Sequence, residues 1–206
     1  LGERTFKIGE DFVPTGRVSG EADAQLVYVG HGWVIKSKNI NAYEGLDVRD
    51  RIVIVSGDGS TPPPGVSIAG LPGGDWETPV SYARKHGAKA LVVVPRNYER
   101  ALRFGALRIA RPYFTVPRLE NAVADDEDEA ADAPTQGMPT IIPSPAMLDA
   151  LFAGELLNSE RVQQASLGVG EQPKGFALAP EKRLRLSVKL STTDATSQNI
   201  VAVLEG

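Results

Sequence analysis

The sequence predicts a mixed α/β domain, and three stretches carry that expectation. In SYARKHGAKALVVV, residues 81–94, a helical pattern ends at Gly87 and turns into Ala90–Val94, a strand apolar on both faces. Such a strand needs cover on both sides and belongs in the middle of a sheet. In MPTIIPSPAMLDALF, residues 138–152, a strand at Thr140–Ile142 runs into a helix with Ser144 as cap and Pro145 at its first position. In RLRLSVKLS, residues 183–191, polar and apolar residues alternate, which marks a strand with one wet face.

The remaining elements fall between these. QLVYVG, residues 25–30, reads as a strand closed by Gly30, and residues 40–59 give a turn or short helix and then a β-branched strand at Ile52–Val55. STPPPGVSIAGLPGGDW is too rich in Gly and Pro for regular structure and should be an exposed loop. Asp75 or Thr78 can cap the next helix, Pro79 suits its first turn, and Gly87 stands where a left-handed C-terminal glycine belongs. The resulting order is strand, strand, helix, strand, strand, helix and a late amphipathic strand, which fits a layered α+β or open α/β domain. The spacing lacks the regular ~30-residue cadence of a nucleotide-binding fold.

The 206 residues, 42% hydrophobic, suffice for one sizeable core or a core with a small lobe. No run approaches the ~20 apolar residues of a membrane span, and LGERTFKIGEDF lacks the features of a signal peptide. A start without Met and a strand-like end, QNIVAVLEG, read as a piece of something longer. The net charge of -4 argues against a charge-driven binder of nucleic acid or anionic membrane. Without cysteine, disulfides, thiolate metal sites and a Cys nucleophile are excluded. Two histidines, His31 and His86, leave little for metal or acid–base chemistry.

Zinc hydrolysis needs three protein ligands around an open position, and neither histidine sits in H-E-x-x-H. His86 closes a helix, whose negative dipole end favours a cation there. His31, in VGHGW, reads as a turn residue after a strand, with a substrate-facing role as the second reading. Around Ser67, GVSIA lacks the second glycine of a nucleophile elbow and follows prolines rather than a strand. GDGSTPPPG lacks Gly-Lys-Ser/Thr, and its prolines remove donors that a phosphate loop needs. The run Asp125–Glu129 has no EF-hand spacing and reads as part of a solvated acidic loop. Arg96, Arg100, Arg103, Arg108, Arg111 and Arg118 form either a solvated helix face or a site for an anionic partner. Trp33, Trp76 and Tyr113 flank Gly or Pro, as interface anchors do, although Trp is more often a partly buried core residue. His31, Trp33, Trp76, Arg103, Arg108, Arg111 and Tyr113 together form the candidate interaction surface.

Three segments in this order, AYEGLDVRDRIVIV, SYARKHGAKALVVV and MPTIIPSPAMLDALF, resemble the protease-associated (PA) domain over roughly residues 25–152. The terminal TSQNIVAVLEG is similar to the first catalytic strand of the M28 family of zinc aminopeptidases, which often carry a PA domain inserted near that point. The resemblance implies a PA-like β-sandwich or open barrel flanked by a few helices. It divides the chain into a flanking segment at 1–24, the PA-like domain at 25–191, and a linker with the first strand of a downstream peptidase at 192–206. It implies no catalytic or metal-binding residue in this chain, since the zinc ligands of that family lie on segments that would follow residue 206. The implied partners are the downstream domain and the parent enzyme's peptide substrate, and the implied location is extracytoplasmic. A free-standing peptide- or protein-binding module is the alternative.

Overall fold

Five apolar residues in a row cannot leave either face in water, and Ala90–Val94 forms a strand, β7, in which all five are buried. In the computed structural model, which describes residues 3–15, 18–57, 59–110, 135–170 and 172–191, this strand lies in an eight-stranded mixed sheet. The other strands are β1 (Phe12–Thr15), β2 (Val18–Tyr28), β3 (Val34–Ile35), β4 (Ile40–Asn41), β5 (Ile52–Ser56), β6 (Trp76–Glu77), β8 (Thr135–Gln136), β9 (Thr140–Pro143), β10 (Phe176–Ala177) and β11 (Arg183–Val188). The helices are α1 (Pro79–Lys85), α2 (Tyr98–Ala110), α3 (Pro145–Phe152) and α4 (Ser159–Ser166).

Strands β2, β5, β7 and β9 are parallel neighbours, with Leu26 beside Ile52, Ile52 beside Ala90 and Leu91 beside Thr140. Antiparallel strands close both margins: β1 pairs with β9, and β10 and β11 pair with β2. β3, β4 and β6 form a separate three-stranded sheet. Alternation along each parallel strand builds two cores. Tyr28, Ile54, Val92 and Ile141 face α3 and α4, whose Leu148, Phe152 and Val162 are buried with them. Val27, Val55, Leu91 and Val93 face the other way, against Tyr43, Val48 and Ala83 of α1. Burying each Val, Leu, Ile or Phe among them contributes about 1.5–3 kcal/mol.

The helix ends follow from local chemistry. Thr78 Oγ1 accepts the Ser81 N–H at 3.1 Å, and Ser144 Oγ accepts the Met147 N–H at 3.2 Å, each ahead of a first-turn proline. Gly87 has φ +78°, a left-handed conformation that a β-branched residue resists, and it turns α1 into β7. β11 reads exposed and buried by turns, as its alternation requires, with Leu184, Leu186 and Val188 inward.

Two expectations need correcting. A domain boundary after residue 24 falls inside β2, and β1 is a margin of the same sheet, so residues 12–24 belong to the fold. The strand expected at 25–30 is eleven residues long and begins at Val18. Its first eight residues, VSGEADAQ, include small and acidic residues that disfavour strands. It extends because β11 pairs with residues 20–25 and shares a core with Ala22 and Ala24. The acidic run at 125–132, the linker at 192–197 and the strand expected at 198–206 lie outside the described residues.

Candidate functional site

The parallel strands β2, β5 and β7 point their carboxyl ends the same way, the place where open α/β sheets usually bind ligands. The loops leaving these ends enclose a crevice lined by His31, Trp33, Ser56, Thr61, Pro63, Pro64, Arg96 and Ser166. It is almost shut. Its volume is about 10 Å³, roughly the room of one water molecule. Helix α4 lies across it, and the Ser56 and Ser166 hydroxyls are spent on the fold. Tyr28 Oη and Ser56 Oγ share a 2.9 Å hydrogen bond, and Ser56 Oγ donates to the Val162 carbonyl at 3.1 Å. Ser166 Oγ lies 3.2 Å from the Pro95 carbonyl and 2.7 Å from that of Gln163. Arg96 donates weakly to the Pro62 carbonyl at 3.4 Å, and its buried Nε has no acceptor among the described residues.

His31 sits at the mouth of this crevice and serves the turn. Its Nδ1 accepts the Trp33 N–H at 3.0 Å, so the ring proton of the neutral imidazole is on Nε2. Burial pushes its pKa below the ordinary histidine value. Gly32, between them, has φ +69°, and a Cβ there would lie 2.8 Å from Val55 and 2.9 Å from Pro79. Trp33 is 2% exposed, which corrects its place on an interaction surface: it is a core residue. Trp76 is half-buried, tilted against Trp33 at 6.0 Å, and donates from Nε1 to the Gly70 carbonyl at 3.2 Å. His86 is the outer ring of a stack with Tyr82 and Tyr43, at centroid separations of 3.8 and 3.9 Å.

The candidate surface is therefore not assembled in one place. His31, Trp33 and Trp76 cluster near the strand ends. Arg103 is exposed on α2, which packs against β1 at the opposite margin of the sheet. Arg108 is on the same helix, its side chain outside the described residues, as are Arg111 and Tyr113 altogether.

The roomier concavity lies at the other margin and was not foreseen. A groove of about 690 Å³ runs between β11, helix α3 and the segment Glu3–Phe6. Leu26, Met147, Leu151, Leu184 and Leu186 give it apolar lining, and Arg4, Lys182, Arg183 and Arg185 give it cationic groups. Arg183 and Arg185 both grip Asp23 on β2, at 2.9 and 3.1 Å, one on each carboxylate oxygen. Those two guanidinium groups hold the Asp23 carboxyl below the usual carboxylate range. Below them, Lys182 Nζ reaches Glu155 at 2.9 Å and donates to the Leu151 and Ala153 carbonyls at the end of α3. In sequence, the signal for this site was the Arg-Leu-Arg-Leu alternation, which also describes any strand with one wet face.

Among the described residues no group of three or more His, Asp or Glu side chains is placed to hold a metal ion, and no helix is long and apolar enough to cross a membrane. The class that the fold defines is a mixed α/β domain. Compared with protein-family models, with curated proteins and with solved structures, the chain has no match in any of the three.

Proposed function

We propose that this chain is a non-catalytic accessory domain of the protease-associated type, carried by a zinc aminopeptidase of the M28 family. In that role it shapes the access of peptide to a catalytic domain following residue 206. The observation that carries the reading is spatial. The three segments that resemble the family form β5, α1 with β7, and β9 with α3, and their strands are adjacent in one parallel arrangement. By the family resemblance, the zinc would be held by His, Asp and Glu residues of the following domain. An extracytoplasmic location goes with the same reading.

The test uses the full-length protein and the chain 1–206 side by side. Full-length protein should release an aminoacyl anilide in a chelator-sensitive way and retain stoichiometric zinc after dialysis. The chain 1–206 should do neither. Turnover or stoichiometric zinc in 1–206 alone, or a full-length protein without zinc-dependent turnover, overturns the proposal. The second reading, a free-standing peptide- or protein-binding module, is favoured by the groove beside β11, which requires no downstream domain.

A further inference from the structure

We propose that His31 is an acid-operated latch: a proton taken up at Nδ1 frees the turn 30–33 and, through Trp76, the loop 70–76, and so opens the crevice at the strand ends. The inference goes beyond the accessory-domain reading and stands under either function above, since it depends only on the turn and the loop. The latch is a single acceptor. Nδ1 of the neutral ring takes the Trp33 N–H at 3.0 Å, the bond that an Asn side chain makes to the backbone two residues on. Once protonated, Nδ1 is a donor facing a donor, and the turn keeps only the bond from the Gly32 N–H to the Val29 carbonyl, at 3.2 Å. His31 is partly exposed, so a proton reaches the ring without unfolding of the sheet. No carboxylate among the described lining residues stands ready to hold an imidazolium. The charged group that shares the crevice is Arg96, itself a cation, and Asp58 lies outside the described residues.

Trp33 carries the change outward. It is buried, yet it stands outside the two cores that flank the parallel sheet, so its release leaves those cores intact. Its indole rests on that of Trp76, which fastens the loop: Nε1 donates to the Gly70 carbonyl at 3.2 Å, and the Trp76 carbonyl accepts the Gly73 N–H at 2.8 Å. The Lys36 N–H, just after β3, donates to the Asp75 carbonyl of the same loop at 2.9 Å. The turn also closes onto the crevice wall, where the Ser56 N–H donates to the Gly30 carbonyl at 2.7 Å. This lobe is slight, since β3, β4 and β6 have two residues each, and such a unit opens at less cost than the whole sheet. The closed turn holds the proton less tightly than an ordinary histidine does, because burial disfavours the cation, and the open turn holds it normally. The latch is therefore shut above about pH 6.5, and opening gains up to about tenfold per pH unit below that value, until the closed form also titrates.

Amide hydrogen exchange in 15N-labelled protein reads such an opening even when the open form is rare. From about pH 7 to about pH 5 the opening constants of the Trp33, Lys36, Ser56 and Asp75 N–H groups should rise together, several-fold, with little dependence on urea. Amides of β7 should have smaller opening constants throughout and exchange by a urea-dependent unfolding. His31→Asn keeps an acceptor for the Trp33 N–H but cannot take up the proton, so its opening constants should stay at the neutral wild-type level at every pH. His31→Leu removes the acceptor and should be more open than wild type at neutral pH, again without pH dependence. Asp58→Asn should leave the wild-type rise in place. Should either His31 variant unfold, the wild-type urea and pH profiles decide alone. Four results would each overturn the proposal. They are a Trp33 N–H that exchanges only together with the β7 amides, a rise that persists in His31→Asn, a rise that vanishes in Asp58→Asn, and a rise confined to Trp33. The third would assign the titration to Asp58, and the fourth would leave a turn that titrates without moving the loop.

Discussion

The two concavities at the margins of β2 are built from opposite principles. At its carboxyl end the sheet offers the usual ligand position, yet α4 and a proline-rich loop fill it, and Ser56 and Ser166 are bonded to main-chain carbonyls. Beside its first half, an edge strand and an apolar-lined groove remain open, with their charges near the rim. Position in a fold type therefore does not locate a site. What locates it is where polar and apolar groups are left without internal partners.

The comparison would break most sharply at Gly32. Gly32→Val combines a positive φ with a Cβ that collides with Val55 and Pro79, and should cost about 3 kcal/mol or more. A fall in the urea midpoint measures it, and an unchanged midpoint would mean that the strand ends tolerate rearrangement. Ser56→Ala removes the link between Tyr28 and the Val162 carbonyl and should cost about 1–3 kcal/mol, since it leaves buried polar atoms unpaired. Loss of that size would identify the crevice as structural. Loss near zero would mean that its polar groups are held for something else.

A smaller effect separates the same two regions by pH. His31 has a pKa pulled down by burial, so the folded state holds its proton less tightly than the unfolded state does. The unfolded chain then binds more protons below about pH 6.5, so stability is full above that value and declines as pH falls through it. Protonating Nδ1 also removes the acceptor of the Trp33 N–H. His31→Gln should flatten this acid limb of the thermal midpoint, whereas a variant in the groove should leave it in place. The least effect is expected from Arg185→Ala. Its ion pair is solvent-exposed, so stability should stay within about 0.5 kcal/mol of wild type by urea titration.

How much of this was legible in the sequence depends on how local the cause is. Ala90–Val94, the caps Thr78 and Ser144, and Gly87 announce themselves, because apolar runs, hydroxyl caps and positive φ are properties of a few adjacent residues. The first half of β2 did not, because its extension depends on Leu184, Leu186 and Val188, more than 150 residues away. Helix α4 was missed for a similar reason: SERVQQAS is largely polar and is held by Asn158 as cap and a few buried residues, Val162 among them. Of the candidate surface, Trp33 was misplaced because flanking glycines look like an exposed turn, while Gly32 is in fact packed against Val55 and Pro79. The groove has no distinctive local signature, since the Arg-Leu-Arg-Leu alternation at its wall marks any strand with one wet face. It arises where β11, α3 and the N-terminal segment converge.

Lys182 carries a consequence of a different kind. An ammonium group has three N–H donors. Here the Leu151 carbonyl, the Ala153 carbonyl and the Glu155 carboxylate engage it at 2.9, 2.5 and 2.9 Å, with the side chain 11% exposed. The other seven lysines are exposed. A deprotonated amine attacks an acylating reagent through its free lone pair, which Lys182 can offer only when the end of α3 detaches from the strand and the ammonium loses a proton. Under brief labelling with an N-hydroxysuccinimide ester it should be the last lysine modified, and its rate should track the opening of that corner rather than the chemistry of the amine. A single peptide mass, followed over time, thus reports how often the floor of the groove comes apart in the native protein.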